Sequence, residues 1–500
     1  MSNSRLPQAR LQALRALDGL GALTEPMLLK ALRDTDERVR EHAVALSQRM
    51  VDRGKISDPL WGRLSSLSAD PSMRVRYQLA FTLGEINRPE RVKTMVEVLQ
   101  RDATNCWLQP AILSSLSSGA GDLLVALAAD PRWRNDAAGR NFLSQLALMI
   151  GVKGQLDEVA QGLAFLNRAL LDSQTAFILL YALGEGLHRT GSSLALVDPK
   201  SQLQGFYDRA LQAALDTTAI DPLRIAALRL LGVSPYATSA RGDIFQLLFG
   251  TGQSEAVQFA AVATLERYEN PAIAGNLIMR WPELAPVVRR QVIAALLART
   301  DRVGALMTAL EQGRISPAEF SSSQADFLRN YRDRAISQRA LRIFGEASRP
   351  RTAVVEQFKT ALRVTGIPAR GRETFRQRCA SCHRLGGEGR PLGPDLATAK
   401  IAGKGKMLRA ILQPNLEVAR GFGASVVETR HRENLLGIIT DENETTITLR
   451  EADGVEMVWP RLNIQSIQPQ PWSLMPAGLE QGLTVQNMAD LLEYIMTALR

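Results

Sequence analysis

Apolar residues recur every three or four positions through most of residues 8–310, in blocks separated by short Gly, Pro and Asp breaks. That spacing gives each block one apolar stripe, so the pattern predicts helix after helix. Beyond residue 352 the pattern changes. A short amphipathic helix is expected first, with Val354, Val355, Phe358, Ala361 and Leu362 on one face. Residues 424–468 then alternate with period two, so 426–429, 436–440, 445–449 and 455–459 read as strands, with Asp453-Gly454 as a hairpin turn. Helical spacing returns at the end, where Met488, Leu491, Leu492 and Ile495 share a stripe with Tyr494 beside them and Thr484 placed as N-cap.

The helical part contains a repeat. Asp34-Thr35-Asp36-Glu37-Arg38-Val39-Arg40 recurs 36 residues later as Asp70-Pro71-Ser72-Met73-Arg74-Val75-Arg76, and each copy opens an apolar helix. A weaker echo is Asp221-Pro222-Leu223-Arg224. Helix pairs of this length cannot bury their apolar faces alone, so copies must stack into a solenoid. The pattern resembles the HEAT family, which implies HEAT-like repeats over residues 8–315. Residues 316–352, with Ser321-Ser322-Ser323 and Ser348-Arg349-Pro350-Arg351, read as a linker, and 353–500 as a second domain. The fold class expected is mainly α: an α-solenoid, then a helical domain with an inserted β-unit at 424–468.

With 5% aromatic residues, the composition favours helices. No apolar run reaches the roughly 18 residues of a membrane span. Met1-Ser2-Asn3-Ser4-Arg5-Leu6-Pro7 has no apolar core of a secretory signal. The first apolar helix, around Leu11, Leu14 and Leu17, leaves little room for a polar capping repeat. The net charge of +9 is uneven: residues 329–420 hold 20 Lys and Arg against 7 Asp and Glu, and 421–500 hold 5 against 11. The basic stretch reads either as a docking face for an acidic redox partner or as a solvated linker. Nucleic-acid binding is not expected there, because interleaved base-stacking aromatics are missing. His42 and His188 read as surface or capping residues, the latter just past a glycine break that closes an apolar helix.

Cys379-Ala380-Ser381-Cys382-His383 is where the chain declares a chemistry. C-x-x-C-H is the attachment sequence for c-type haem. Two thiols three residues apart lie on one side of a helical turn and can form thioethers to one porphyrin, while His383 offers its imidazole to the iron. Zinc would need a second ligand pair, and Cys106, His42, His188 and His431 are scattered singly. A thioredoxin-like pair would follow a strand, and none is signalled before Cys379. Cys106, beside Trp107, reads as a buried small hydrophobe.

Gly371-x-x-x-Phe375-x-x-x-Cys379 looks like the first helix of class I cytochromes c, in which a glycine and an aromatic cross the C-terminal helix. The glycines at 386, 387, 389 and 393 suit a loop that approaches the porphyrin closely. By the same resemblance, the Pro394 carbonyl should accept the Nδ1–H of His383. Ser473-Leu474-Met475-Pro476 places a methionine in a loop before the last helix, and Met475 is expected as the sixth iron ligand over Met407, Met457 and His431. Cytochrome helices, then a β-unit, then this methionine loop are similar to the haem-binding domain of Planctomycete and Verrucomicrobium type. Departures are Arg432-Glu433-Asn434 where Asp-Gly is usual, and Asn463 where Asp is usual. Members often follow HEAT-like repeats at the end of large membrane-associated dehydrogenases. The resemblance implies haem c, a role as single-electron relay between a dehydrogenase module or partner and a downstream carrier, and a periplasmic or otherwise extracytoplasmic site. The chain itself is not read as an enzyme, and it is expected to be part of a longer exported polypeptide or to have lost its leader. The alternative is an interaction scaffold with a structural or sensory haem.

Overall fold

In the computed structural model the described residues are 4–498, apart from 52–54, 103–104, 106, 169–170, 236–241, 250–251, 347–350, 452–453 and 455. Cys106, Asp453, Ser348, Arg349 and Pro350 therefore lie outside the described residues. The chain is mainly helical, with a five-stranded antiparallel sheet near its C-terminal end. It divides into two units, Met1–Ser234 and Pro235–Arg500. No helix among the described residues is long and apolar enough to cross a membrane.

In the first unit the two heptapeptide copies occupy equivalent places. Asp34 and Asp70 each accept the backbone N–H two residues on, from Asp36 and Ser72, both at 2.9 Å. The helices Glu37–Ser47 and Met73–Gly84 follow. Arg40 and Arg76 each donate back to the carbonyl of the aspartate in their own copy. They also reach forward: Arg40 meets the Asp70 carboxylate at 2.8 Å and Arg76 meets Asp102 at 2.5 Å, while Arg10 meets Asp34 at 2.7 Å. The result is a ladder of ion pairs threading successive loops, and such charges stay buried only when paired. Around it, Val39, Ala43, Val44, Val75, Leu79 and Leu83 are sealed from solvent.

The glycine break expected just before His188, at Gly184 and Gly186, is absent. Helix Ser173–Arg189 runs unbroken through Gly184 and Gly186. A Cβ on Gly186 would run into the Leu148 carbonyl, and one on Gly151 into that of Leu183. These glycines let two backbones touch rather than end a helix.

In the second unit, helices continue through Pro286–Leu297 and Thr300–Glu311. Residues 316–352 carry Ser322–Arg329 and Arg334–Phe344, and Ser321 starts the former in a capping box with Gln324. The C-terminal part is built from α1 (Thr352–Phe358), α2 (Pro368–Arg378), α3 (Lys404–Leu412), β1 (Gly423–Thr429), β2 (Asn434–Glu442), β3 (Thr446–Glu451), β4 (Glu456–Pro460), β5 (Ile464–Ser473) and α4 (Val485–Thr497).

The helices surround one apolar cluster, with Phe358, Phe375, Leu408, Leu412, Met488, Leu491, Leu492 and Ile495 at its centre. Helix α4 starts at Thr484, which forms a capping box with Asn487. It crosses α2 closely enough that a Cβ on Gly371 would collide with the Asp490 carbonyl, and Phe375 meets Tyr494 at a ring separation of 5.6 Å. The fully buried Asp490 carboxylate fastens the crossing, accepting from Ile367 N at 2.7 Å, Arg370 Nε at 2.8 Å and Gln486 Nε2 at 2.8 Å.

The sheet runs β4-β3-β2-β1-β5, with Val427 opposite Ile467 and Leu435. Four strands fall where period-two alternation predicts them. The fifth, β5, carries Pro469 and Pro471, which an edge strand tolerates. The β1–β2 turn, Arg432-Glu433-Asn434, makes contacts of its own. Arg432 adopts φ +64° and its carbonyl accepts Thr300 N at 3.0 Å. Glu433 bridges Arg299, and Asn434 donates to the Ala298 and Leu297 carbonyls at 2.6 and 3.0 Å. The turn is built to seat on the end of helix Pro286–Leu297.

Candidate functional site

Helix α2 ends one residue before Cys379, and the chain makes one further turn: Cys379 N donates to Phe375 O at 2.8 Å, Cys382 N to Cys379 O at 3.0 Å and His383 N to Cys379 O at 2.8 Å. Cys379, Cys382 and His383 are thereby brought onto a single turn, as the C-x-x-C-H spacing implies. Both cysteines are free and half-buried. Burial, with a smaller push from Cys382, drives the Cys379 thiol up to about 12, so it stays protonated at neutral pH.

His383 Nδ1 lies 2.8 Å from the Pro394 carbonyl. A carbonyl oxygen can only accept, so Nδ1 carries the proton. Burial holds the imidazole below its ordinary pKa, against the opposing pull of Pro394. The ring is therefore neutral at pH 7, with the Nε2 lone pair left over as a ligand. A Cβ on Gly393 would sit 2.5 Å from His383 Cε1, so the loop passes flat against the ring only because residue 393 has no side chain. Gly389, at φ +86°, likewise lies against the His383 carbonyl.

Three contacts that the motifs did not announce hold this loop. Glu388 takes Arg372 Nε at 3.0 Å and Arg376 Nη2 at 2.9 Å, fastening the loop to α2. Those hydrogen bonds, Arg376 first, hold its carboxyl down at about 2. Gly393 N donates to Cys382 O at 2.7 Å, closing the loop on the motif. Arg450 on β3 donates to the Pro391 carbonyl at 2.9 Å, so the sheet braces the same loop. The signal available in the sequence was i,i+4 spacing of Arg372 and Arg376 on α2, which puts both guanidinium groups on one face.

Met475 follows β5, half-buried and packed on the cluster that also receives Cys379. Its N–H donates to Ser473 Oγ at 3.1 Å, and Ser473 N donates to Asn415 Oδ1 at 3.0 Å. Of its rivals, Met407 is buried in α3, Met457 packs on the sheet core and His431 belongs to the β1–β2 turn. Among the described residues the Nε1–H of Trp472, three residues before Met475, is sealed from solvent without a protein acceptor.

The family model for cytochrome c matches residues 368–448. That segment is a cytochrome c-like haem-binding domain, and its cofactor is haem c, an iron porphyrin attached covalently. No curated protein matches the chain. The matched residues contain Cys379, Cys382, His383 and Pro394 and stop short of Met475. The donor set fits the cofactor: two thiols and an imidazole on one turn, the imidazole oriented from behind, and a loop kept flat by Gly393. Among the described residues no cluster of three His, Cys, Asp or Glu could hold a bare metal ion. When bound, the iron porphyrin takes up and releases one electron at a time. The domain's role is haem-based electron transfer.

Proposed function

We propose that this chain is an extracytoplasmic electron relay, accepting single electrons from a dehydrogenase module or partner and passing them to a downstream redox carrier. Cys379 and Cys382 would carry the thioethers, His383 would bind iron through Nε2 with Pro394 fixing its tautomer, and Met475 would supply the sixth ligand. The observation that carries this reading is the His383–Pro394 contact, which uses Nδ1 and leaves Nε2 unclaimed on the same turn as both thiols. A methionine thioether among the ligands would favour reduced iron and suit electron transfer. The likeness to the haem-binding domain of Planctomycete and Verrucomicrobium type supports a dehydrogenase as donor, fused or separate. The protein is not proposed to be an enzyme on its own.

The test is expression with an exported leader and cytochrome c maturation, then absorbance spectra in both redox states. Covalent haem stays with the protein in acid-acetone, and extraction of the pigment ends the case. Met475→Ala should lower the reduction potential and remove low-spin methionine ligation; an unchanged spectrum removes Met475 from the ligand set.

The Arg–Asp ladder of the first unit favours a second reading, in which HEAT-like repeats recruit a partner and the haem is structural or sensory. A sensory haem leaves the sixth position open, so carbon monoxide would bind the reduced wild type as readily as it binds Met475→Ala.

A further inference from the structure

The ligand-bearing loop between β5 and α4 has to hold one thioether in place without secondary structure of its own. Its entry is fixed by Asn415, which takes Ser473 N at 3.0 Å. Its far half closes on itself, with Gln481 N donating to Gly478 O at 3.0 Å and Leu483 N to Glu480 O at 2.9 Å. Gly478 and Gly482, at φ +95° and +80°, permit that double turn. Self-closed turns do not say where the loop sits on the domain. Met475 and Leu483 rest on the apolar cluster, which is not directional, and the directional anchor is Glu480, whose carboxylate is buried and forms the loop's one ion pair among the described residues.

Its partner is Arg351, the residue that leads into α1. One guanidinium nitrogen, Nη1, lies 3.0 Å from Glu480 Oε2, and Nη2 engages Oε1. Nη1 also reaches the Leu412 carbonyl at 3.3 Å, at the end of α3 and three residues before Asn415. The fork therefore ties the far half of the loop to the same turn that anchors its entry. A bidentate guanidinium–carboxylate pair fixes angle as well as distance, which a lysine cannot do.

We infer that Arg351, acting through Glu480, is a positioning residue that keeps the Met475 thioether at the iron. The inference rests on Met475 as the sixth ligand. Without the clamp the loop keeps its turns and its apolar packing but loses its directional anchor, and the thioether competes poorly with ligands from solution.

The test uses the full-length haem-loaded protein and imidazole as probe, titrated into the oxidised form and followed by visible absorbance. Arg351→Met should bind imidazole at least tenfold more tightly than wild type and weaken the sulfur-to-iron charge-transfer band. Arg351→Lys should recover part of the difference. Glu480→Gln, which keeps shape and one acceptor, should shift in the same direction and decides the matter where Arg351→Met does not fold. A folded Arg351→Met or Glu480→Gln with wild-type imidazole affinity overturns the clamp. Met475→Ala separates the two ideas: wild-type affinity there removes the ligand assignment itself, whereas an open Met475→Ala beside an unaltered Arg351→Met removes the clamp alone.

Discussion

Gly393 and His383 are in face-to-side contact: a Cβ on the glycine would lie 2.5 Å from Cε1 and 2.8 Å from Nδ1 of the imidazole. The ring has no room to retreat, because Nδ1 is already committed to Pro394. Gly393→Ala should therefore move the ring or the loop and break the Nδ1 contact. Overpacking of this kind costs about 1–3 kcal/mol. Denaturant unfolding of the haem-loaded variant measures that loss, and a shifted reduction potential reports the altered imidazole. A variant with wild-type stability and potential would mean that the loop yields freely.

Glu388 gives the domain a pH dependence of known sign. Its carboxyl is held down to about 2 by hydrogen bonds from Arg376 and Arg372, against an ordinary value of 4.5. A depressed carboxyl stabilises the folded state above the unfolded pKa and stops doing so as pH falls through the folded one. The stability difference between wild type and Glu388→Gln should thus be full above about pH 5 and fade towards pH 2. Paired thermal melts across that range check it. A difference that persists unchanged at pH 2 would assign the effect to packing instead.

Much of the haem domain was legible because its chemistry is local. Cys379, Cys382 and His383 fall on one turn by spacing alone, and the α4 stripe needs only period 3.6. The repeat was legible as well, since Asp34 and Asp70, and Arg40 and Arg76, recur in register. Long-range partners were not: nothing within reach of Glu480 along the chain marks Arg351, 129 residues earlier, as its partner. Strand β5 lay outside the four alternating segments, and its Pro469 and Pro471 are tolerated because an edge position does not need their N–H groups. The glycines after Leu183 misled. Close approach to a neighbouring helix and helix termination select the same residue, and only the neighbour distinguishes them.

Asp490 should be the residue whose loss most loosens the α2–α4 crossing. Its carboxylate serves Ile367 N, Arg370 Nε and Gln486 Nε2 while fully buried. All three donors lose a charged acceptor that sits at the crossing itself. Asp490→Ala should cost about 1.5–3 kcal/mol, the range for a hydrogen bond to a charged group. Asp490→Asn, which keeps an acceptor for Ile367, should cost less. Equal losses in the two variants, measured by denaturant unfolding, would show that the charge rather than the acceptor matters.

The ladder of the first unit makes a prediction about which half of a pair matters. Arg40 and Asp70 are both buried, 2.8 Å apart, and each also serves backbone groups: Arg40 donates to the Asp34 and Thr35 carbonyls, and Asp70 accepts Ser72 N. Arg40→Met strands the Asp70 carboxylate, and removing one partner of a buried pair costs about 3–5 kcal/mol. Arg40→Met combined with Asp70→Asn removes the stranded charge yet retains the acceptor for Ser72, so it should recover part of that loss. A double-mutant cycle on unfolding free energies measures the coupling. Purely additive losses would mean that the rungs act through their backbone contacts, and the ladder would then be a row of loop clasps rather than of ion pairs.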